Sequence, residues 1–380
     1  MSDTGGGHRA SAEALSAALN TLYPGQLNIS IVDMWTKYGV WPYNRLVQTY
    51  RFLGRRPLLW RIAYDLGRIP LFRRLQEAWC GLLCFAGVKR CLTENKPDLI
   101  VSVHPLCQTL PLRVLKSMGG GTKRVPFVTV VTDLASAHPT WFHRGVDAAY
   151  VPTEALRRMA RRQGLKPEQV RLTGLPIRPE FWCTGAPPTK AKARARLGLL
   201  HAAPTAVIVG GGDGVGRLSE IAHSVADQLS ADMPLSQLVV VCGRNEAVRA
   251  ALQARPWPPN VQVTVLGFIP HLDMYMAAAD VLVTKAGPGT IAEACALGVP
   301  LILSSFLPGQ ESGNVPFVTE GGFGTYEHRP RGIAHAVSAL LLDPPRLQEM
   351  GRKARSAGRP RATLDIAADL VQTMLPPVRQ

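Results

Sequence analysis

Ala206-Val207-Ile208-Val209-Gly210-Gly211-Gly212-Asp213-Gly214 is a short apolar run that breaks on a cluster of glycines, and an amphipathic pattern begins near Leu218. The run is too short for a helix and reads as a buried strand, the glycines as a tight loop at its carboxyl end, and the following pattern as a helix. Strand, glycine loop and helix in that order make the repeating unit of a parallel α/β sheet. Working outward, the same alternation recurs: Ile29 to Val32, Leu99 to Val103, Phe127 to Val131 and Ala149 to Val151 on one side, Leu238 to Val241, Val261 to Leu266, Val281 to Val283 and Leu301 to Leu303 on the other. Between Phe181 and Pro204 the chain is rich in Pro, Ala, Lys and Arg, with Pro187-Pro188 at the centre, and marks a boundary. The expectation is two doubly wound α/β domains facing across a cleft: 1–182, a linker 183–203, 204–360, and a C-terminal helix 361–380 that crosses back to the first domain.

Composition narrows the function classes. A chain of 380 residues with 46% hydrophobic content has enough apolar material for two cores, and a formal charge of +16 implies contact with an anion: nucleic acid, anionic lipid or a phosphorylated substrate. The seven cysteines show no C-x-x-C spacing, so no zinc ribbon, redox motif or haem attachment is indicated, and a reducing compartment fits. Arg and Lys interrupt every apolar stretch before it reaches the length of a spanning helix, so a membrane partner would be met at its surface. Met1 stands four residues before a glycine triplet, which leaves no room for a targeting peptide or a preceding strand and places the expected true start further upstream.

Three glycine loops sit where such a fold puts chemistry. Gly5-Gly6-Gly7-His8 leads into a helix, with His8 at its N-terminus either as a general base or as a solvent-facing turn residue. The same stretch matches a dinucleotide fingerprint through Gly5, Gly7 and Ala10, with Asp33 as the ribose acid, a weak motif on its own. Gly211, Gly212 and Gly214 offer backbone amides to a diphosphate. Lys285-Ala286-Gly287-Pro288-Gly289-Thr290 opens a helix carrying Glu293, which is placed either to hold a ribose or simply to stabilise the helix start. No D-x-D triplet occurs, so amides, helix dipoles and basic side chains would have to stabilise a leaving nucleotide, and no obligatory metal or prosthetic group is expected.

Ser2 to Ser11, Thr132-Asp133-Leu134, His138 to His143, Gly174 to Pro179, Cys242 to Asn245, Lys285 to Glu293 and Pro308 to Pro316 follow one another in the order of a known family. In these segments the chain resembles the monogalactosyldiacylglycerol synthases, which share a broad glycosyltransferase family with the lipid II synthase that adds N-acetylglucosamine. The resemblance implies a GT-B fold of two Rossmann-like domains and inverting transfer of galactose from a UDP-galactose donor to diacylglycerol. It also implies that His8 is the base, with Asp133 and His138 orienting it or the acceptor. Gly211, Gly212, Gly214, Gly287, Gly289 and Thr290 are then similar to a diphosphate cradle, Glu293 to a ribose ligand, and Phe268 and Ile269 to the uracil wall. Arg244 would reach the nucleotide, and Gln310, Glu311 and Asn314 the hexose. Relatives carry a strand just before Ser2, so the resemblance further implies that the first domain here lacks one.

Between Met34 and Leu83, Trp35, Trp41, Trp60 and Trp79 interleave with arginines that include Arg55 and Arg56, and Asp65 is nearly the only acid. Tryptophan and arginine together suit an anionic lipid surface, and also nucleic-acid stacking or a snorkelling cover over a core. With the transferase motifs present, membrane-facing and acceptor roles are expected for Trp35, Trp41, Trp60, Arg55, Arg56, His138 and Trp141, with no nucleic-acid partner, room for a homodimer, and a peripheral place on a plastid envelope or a bacterial inner membrane. UDP-glucose with diacylglycerol, and UDP-N-acetylglucosamine with a polyprenyl-linked sugar, remain the alternatives within the transferases. Outside them stand a basic nucleotide- or nucleic-acid-binding module and an NAD-dependent enzyme reliant on Asp33.

Overall fold

A computed structural model describes residues 1–54, 56–182, 188–210 and 217–375. They form two compact units, one of Met1–Pro179, Leu307–Gly313 and Arg361–Gln380, the other of Glu180–Phe306 and Asn314–Pro360.

The first unit holds four parallel strands, β1 (Ile100–Ser102), β2 (Phe127–Val130), β3 (Ala148–Val151) and β4 (Val170–Leu172), in spatial order β1-β2-β3-β4. Alternation along β2 and β3 builds two cores. Phe127, Ala149 and Val151 pack with the helices Pro70–Asn95, Thr109–Met118 and Glu154–Arg162 on one face. Val128, Val130, Ala148 and Tyr150 meet Leu15, Ile366 and Leu370 on the other. The latter two residues belong to the helix Ala362–Met374, which packs on the helix Gly6–Leu22. It is tied there by polar contacts: the Tyr150 hydroxyl donates to Asp369 at 2.5 Å, Arg171 pairs with Asp369, and Thr363 Oγ1 bonds both the N–H and the carbonyl of Ile177 at 2.9 and 3.0 Å.

Ile29 to Val32, expected as a strand, forms none. A ladder needs several residues of neighbouring backbone. Here the Met1 amine donates to the Val32 carbonyl at 2.9 Å and the Met34 N–H donates to the Met1 carbonyl at 3.0 Å. The edge strand β4 shows no strand pattern in the sequence because its Val-Arg-Leu is short, carries a charge and is partly exposed. Leu307–Gly313, read as part of 204–360, groups instead with the first unit, where Trp60, Asp133 and Ser136 hold it.

The second unit holds β5 (Thr205–Val209), β6 (Ser236–Val241), β7 (Val261–Leu266), β8 (Val281–Lys285), β9 (Leu301–Ser305) and β10 (Gly324–Tyr326), all parallel, in order β10-β9-β8-β5-β6-β7. The direction of winding reverses between β5 and β8, so the carboxyl ends of these two strands mark the switch point that doubly wound sheets use for ligands. β10, a short edge strand beginning on a glycine, was also missed. Both faces are buried, which explains why β5, β6 and β8 read as unbroken apolar runs.

Candidate active site

In the first unit the site begins at Gly5, whose φ of +76° turns the chain into the helix Gly6–Leu22. His8 lies in the first turn of that helix and is buried. Its Nδ1 is 2.8 Å from the hydroxyl of Thr132, two residues beyond β2, and its ring meets the ring of His104 edge-on at 4.6 Å and that of Trp141 at 5.9 Å. Desolvation lowers its pKa to about 4 while the Val103 backbone carbonyl works the other way. The imidazole is therefore neutral at pH 7 and able to accept a proton.

Asp133 directs its hydrogen bonds to residues other than His8. Its Oδ2 accepts from Trp141 Nε1 at 2.6 Å and its Oδ1 from Gln310 Nε2 at 3.3 Å. Burial pushes its carboxyl up to about 7, against the pull of these two donors. The residue hydrogen-bonded to His8 is thus Thr132, while Asp133 holds the segment Leu307–Gly313 through Gln310. That segment is held at further points: Ser136 Oγ donates to the Gln310 carbonyl at 2.9 Å, Gly313 N–H donates to Ser136 Oγ at 3.1 Å, and Trp60 Nε1 donates to the Pro308 carbonyl at 3.0 Å. Glu311 is buried and its Oε2 accepts from the Leu307 N–H at 2.8 Å. Around it an aromatic row runs from Tyr50 through Trp60 and Tyr64 to His138, with centroids 5.0, 6.3 and 5.1 Å apart. His138 is likewise kept neutral by burial, its pKa down to about 4, and its Nδ1 accepts from the Thr140 N–H at 3.3 Å.

In the second unit Gly210 donates its N–H to the Val241 carbonyl at the end of β5. Gly211, Gly212 and Gly214, expected at a diphosphate, lie outside the described residues. At β8 the chain turns through Ala286 and Gly287 into the helix Pro288–Leu297, with Pro288 at a first-turn position where a missing N–H costs nothing. Space is open beside Gly289, so the first-turn amides can be approached closely, with Thr290 beside them. Glu293 is buried one turn on. Asn314, expected at the hexose, is buried and donates to the Ala286 carbonyl at 2.9 Å, which holds the loop after β8. At the other side of the sheet Arg244, beyond β6, stacks over the ring of Phe268, beyond β7, at 5.4 Å. Phe268 is 62% exposed beside Ile269, so its ring is presented to solvent.

The family model for monogalactosyldiacylglycerol (MGDG) synthase matches residues 8–177, and the glycosyltransferase family 28 C-terminal domain matches 205–366. The probable chloroplastic monogalactosyldiacylglycerol synthase of Nicotiana tabacum is 40% identical over 376 residues, 97% of this chain and 69% of that protein. The chloroplastic monogalactosyldiacylglycerol synthase of Spinacia oleracea is 40% identical over 97% of this chain and 71% of its own length. The chain belongs to the monogalactosyldiacylglycerol synthase family. Among solved structures, MurG of Acinetobacter baumannii superposes with a TM-score of 0.55 at 19% identity, covering 77% of this chain and 78% of that one. The S. aureus MnaA structure with UDP gives 0.59 at 13% identity, covering 96% and 93%. At such identities these show the fold alone, and the fold is GT-B.

Within this family member the structure sorts the tryptophans differently from the sequence. Trp35 and Trp141 are core residues, at 2% and 0% exposure, because each packs in the cluster beneath β2. Trp60 turns inward to Pro308, while Trp41 and Trp79, at 76% and 56%, face solvent. Arg55 lies outside the described residues, and Arg56 stacks on Phe52 at 3.9 Å. Asp33, on which the dinucleotide reading depended, caps the helix Met34–Tyr38 through the Thr36 N–H. His104 carries no signal in the sequence and Thr132 only its place in the Thr132-Asp133-Leu134 segment, since the ends of β1 and β2 bring them to His8.

Proposed function

We infer that this chain is a 1,2-diacylglycerol 3-β-galactosyltransferase, moving galactose from UDP-galactose to the free hydroxyl of diacylglycerol to give monogalactosyldiacylglycerol and UDP. The observation that carries this is kinship at 40% identity along 97% of the chain with enzymes named for that product. In our reading His8 takes the acceptor proton as the hydroxyl attacks the anomeric carbon, and a single displacement inverts the configuration. Its burial and neutrality support that role. The leaving UDP is stabilised by the amides and dipole at the start of Pro288–Leu297, with Glu293 on the ribose and Phe268, Ile269 and Arg244 at the uracil. Gln310 and Glu311 read the hexose hydroxyls, and their place in a clamped segment supports selectivity between epimers. No divalent metal is needed in this scheme, a reading motivated by the missing D-x-D triplet.

We place the enzyme on a membrane surface, and, by kinship with chloroplastic relatives, at the plastid envelope. No helix among the described residues is long and apolar enough to cross a membrane. Support for surface binding comes from Trp41, Leu58, Leu71 and Leu82, each more than two-thirds exposed. A concavity of about 540 Å³ lined by Gln48, Arg51, Phe52 and Arg56 adds basic groups suited to anionic headgroups.

The test is transfer by purified protein from UDP-galactose, UDP-glucose and UDP-N-acetylglucosamine to diacylglycerol in anionic vesicles, with chelator present and the product anomer determined. A β-galactosyl lipid, reduced about 100-fold or more by His8→Ala, is expected. An α-linked product, or an unaffected His8→Ala, removes His8 as the base.

A further inference from the structure

We propose that Thr132 is the positioning residue for His8: its hydroxyl accepts the Nδ1 proton and thereby leaves the Nε2 lone pair to receive the proton of the acceptor hydroxyl. The proposal rests on His8 as the base. A neutral imidazole carries one N–H, and Nε2 is basic only when that hydrogen resides on Nδ1. Nδ1 lies 2.8 Å from Thr132 Oγ1, and both residues are buried at 7% and 5% exposure, so the hydroxyl is a side-chain partner for Nδ1 away from water, beside the Val103 carbonyl that also acts on the ring.

His104 supports the same arrangement from a second side. The Leu106 N–H donates to His104 Nδ1 at 3.2 Å, so the His104 proton resides on Nε2 and is donated to Thr4 Oγ1 at 2.6 Å. Burial, then the nearness of His8, keeps His104 neutral, and its ring stands against that of His8. Thr4 immediately precedes Gly5, the residue that starts the His8 helix. Two hydrogen bonds spanning 100 and 124 residues thus tie the glycine loop to the ends of β1 and β2, which are themselves paired from Ile100↔Phe127 to Ser102↔Thr129. Rigid neighbouring strands, rather than the loop itself, set the imidazole.

In the transfer the acceptor O–H breaks as its oxygen bonds the anomeric carbon. The proton goes to His8 Nε2, and the bond from that carbon to the UDP oxygen breaks with its electron pair leaving on UDP. As the imidazolium forms, the Nδ1–H···Oγ1 contact becomes charge-assisted, so it is stronger in the transition state than before it and its loss falls on kcat.

Thr132→Val keeps the shape and removes the acceptor. Full-length variants are assayed on diacylglycerol vesicles with UDP-galactose, and ¹⁵N-histidine spectra identify the His8 tautomer in the wild type. We expect kcat to fall on the order of 10–100-fold with both KM values within about two-fold, Thr132→Ser to recover most of the loss, and the His8 proton to be found on Nδ1. Wild-type kcat in Thr132→Val, a loss carried by KM, or a proton found on Nε2 overturns the proposal. If Thr132→Val does not fold, the wild-type tautomer and Thr132→Ser decide it. Should His8→Ala lose activity while Thr132→Val does not, the positioning role alone falls; should His8→Ala stay active, the base assignment falls with it.

Discussion

Burial sets the protonation of this protein's unusual histidines, and the consequence is a defined response to acid. His138 and His8 titrate near 4 in the folded chain against 6.5 for an ordinary histidine. Between these values the folded state holds fewer protons than the unfolded one, so stability present above pH 6.5 is lost as pH falls through about 4. Asp133, raised from 3.8 to about 7, has the opposite sign: its contribution is full below 3.8 and is lost as pH rises through about 7. His138→Gln should therefore reduce the destabilisation seen between pH 6.5 and 4, by at most ~3 kcal/mol. Urea melts at stepped pH measure it, and an unchanged pH slope in the variant would show that His138 titrates normally in the folded state.

Two helices carry their apolar stripes the wrong way round for a protein surrounded by water. Along Pro57–Arg68, Leu58, Ile62 and Leu66 recur every four residues and are all exposed, while Trp60 and Tyr64 alternate with them and turn to Pro308 and His138. Along Pro70–Asn95, Leu71, Leu75, Trp79 and Leu82 form the outward stripe and Cys80, Cys84, Val88 and Leu92 the inward one. One face of each helix packs on the unit and the other offers apolar area to a bilayer, at about 25 cal/mol per Å² withdrawn from water. The double variant Leu58→Glu/Leu71→Glu should bind anionic vesicles at least about tenfold more weakly while its melting temperature changes little, since neither side chain is buried. Vesicle sedimentation reads the first and calorimetry the second. Undiminished binding would move the membrane contact elsewhere on the chain.

At the scale of the whole molecule, the chain leaves its first unit at Pro179 and returns to it twice, at Leu307–Gly313 and from Arg361 onward. The second return is anchored by Thr363, a fully buried hydroxyl that serves both the N–H and the carbonyl of Ile177. Thr363→Val removes the hydroxyl that both groups bond and should cost on the order of 1–3 kcal/mol, with Thr363→Ser restoring most of it. Thermal unfolding of the two variants measures this. Equal stability of Thr363→Val and wild type would show that the helix Ala362–Met374 is held without the Thr363 bonds, by Ile366 and Leu370 and by Asp369 on Tyr150 and Arg171.

Sequence by itself determined the α/β class, because strands buried on both faces, such as Ala206 to Val209 and Leu238 to Val241, must be apolar throughout and so stand out without any partner in view. It also singled out His8 and the Gly287 loop, because glycine before a helix is a local backbone requirement. Local pattern could not decide which face of a helix is covered, which is why Trp35 and Trp141 read as membrane residues and proved to be core. Nor could it decide which groups meet across the chain: Thr132 beside His8, Asp133 on Gln310, Thr363 on Ile177. Those pairings depend on strand register and on where the chain returns, and a hydrogen bond between residues more than a hundred positions apart leaves no periodicity to read.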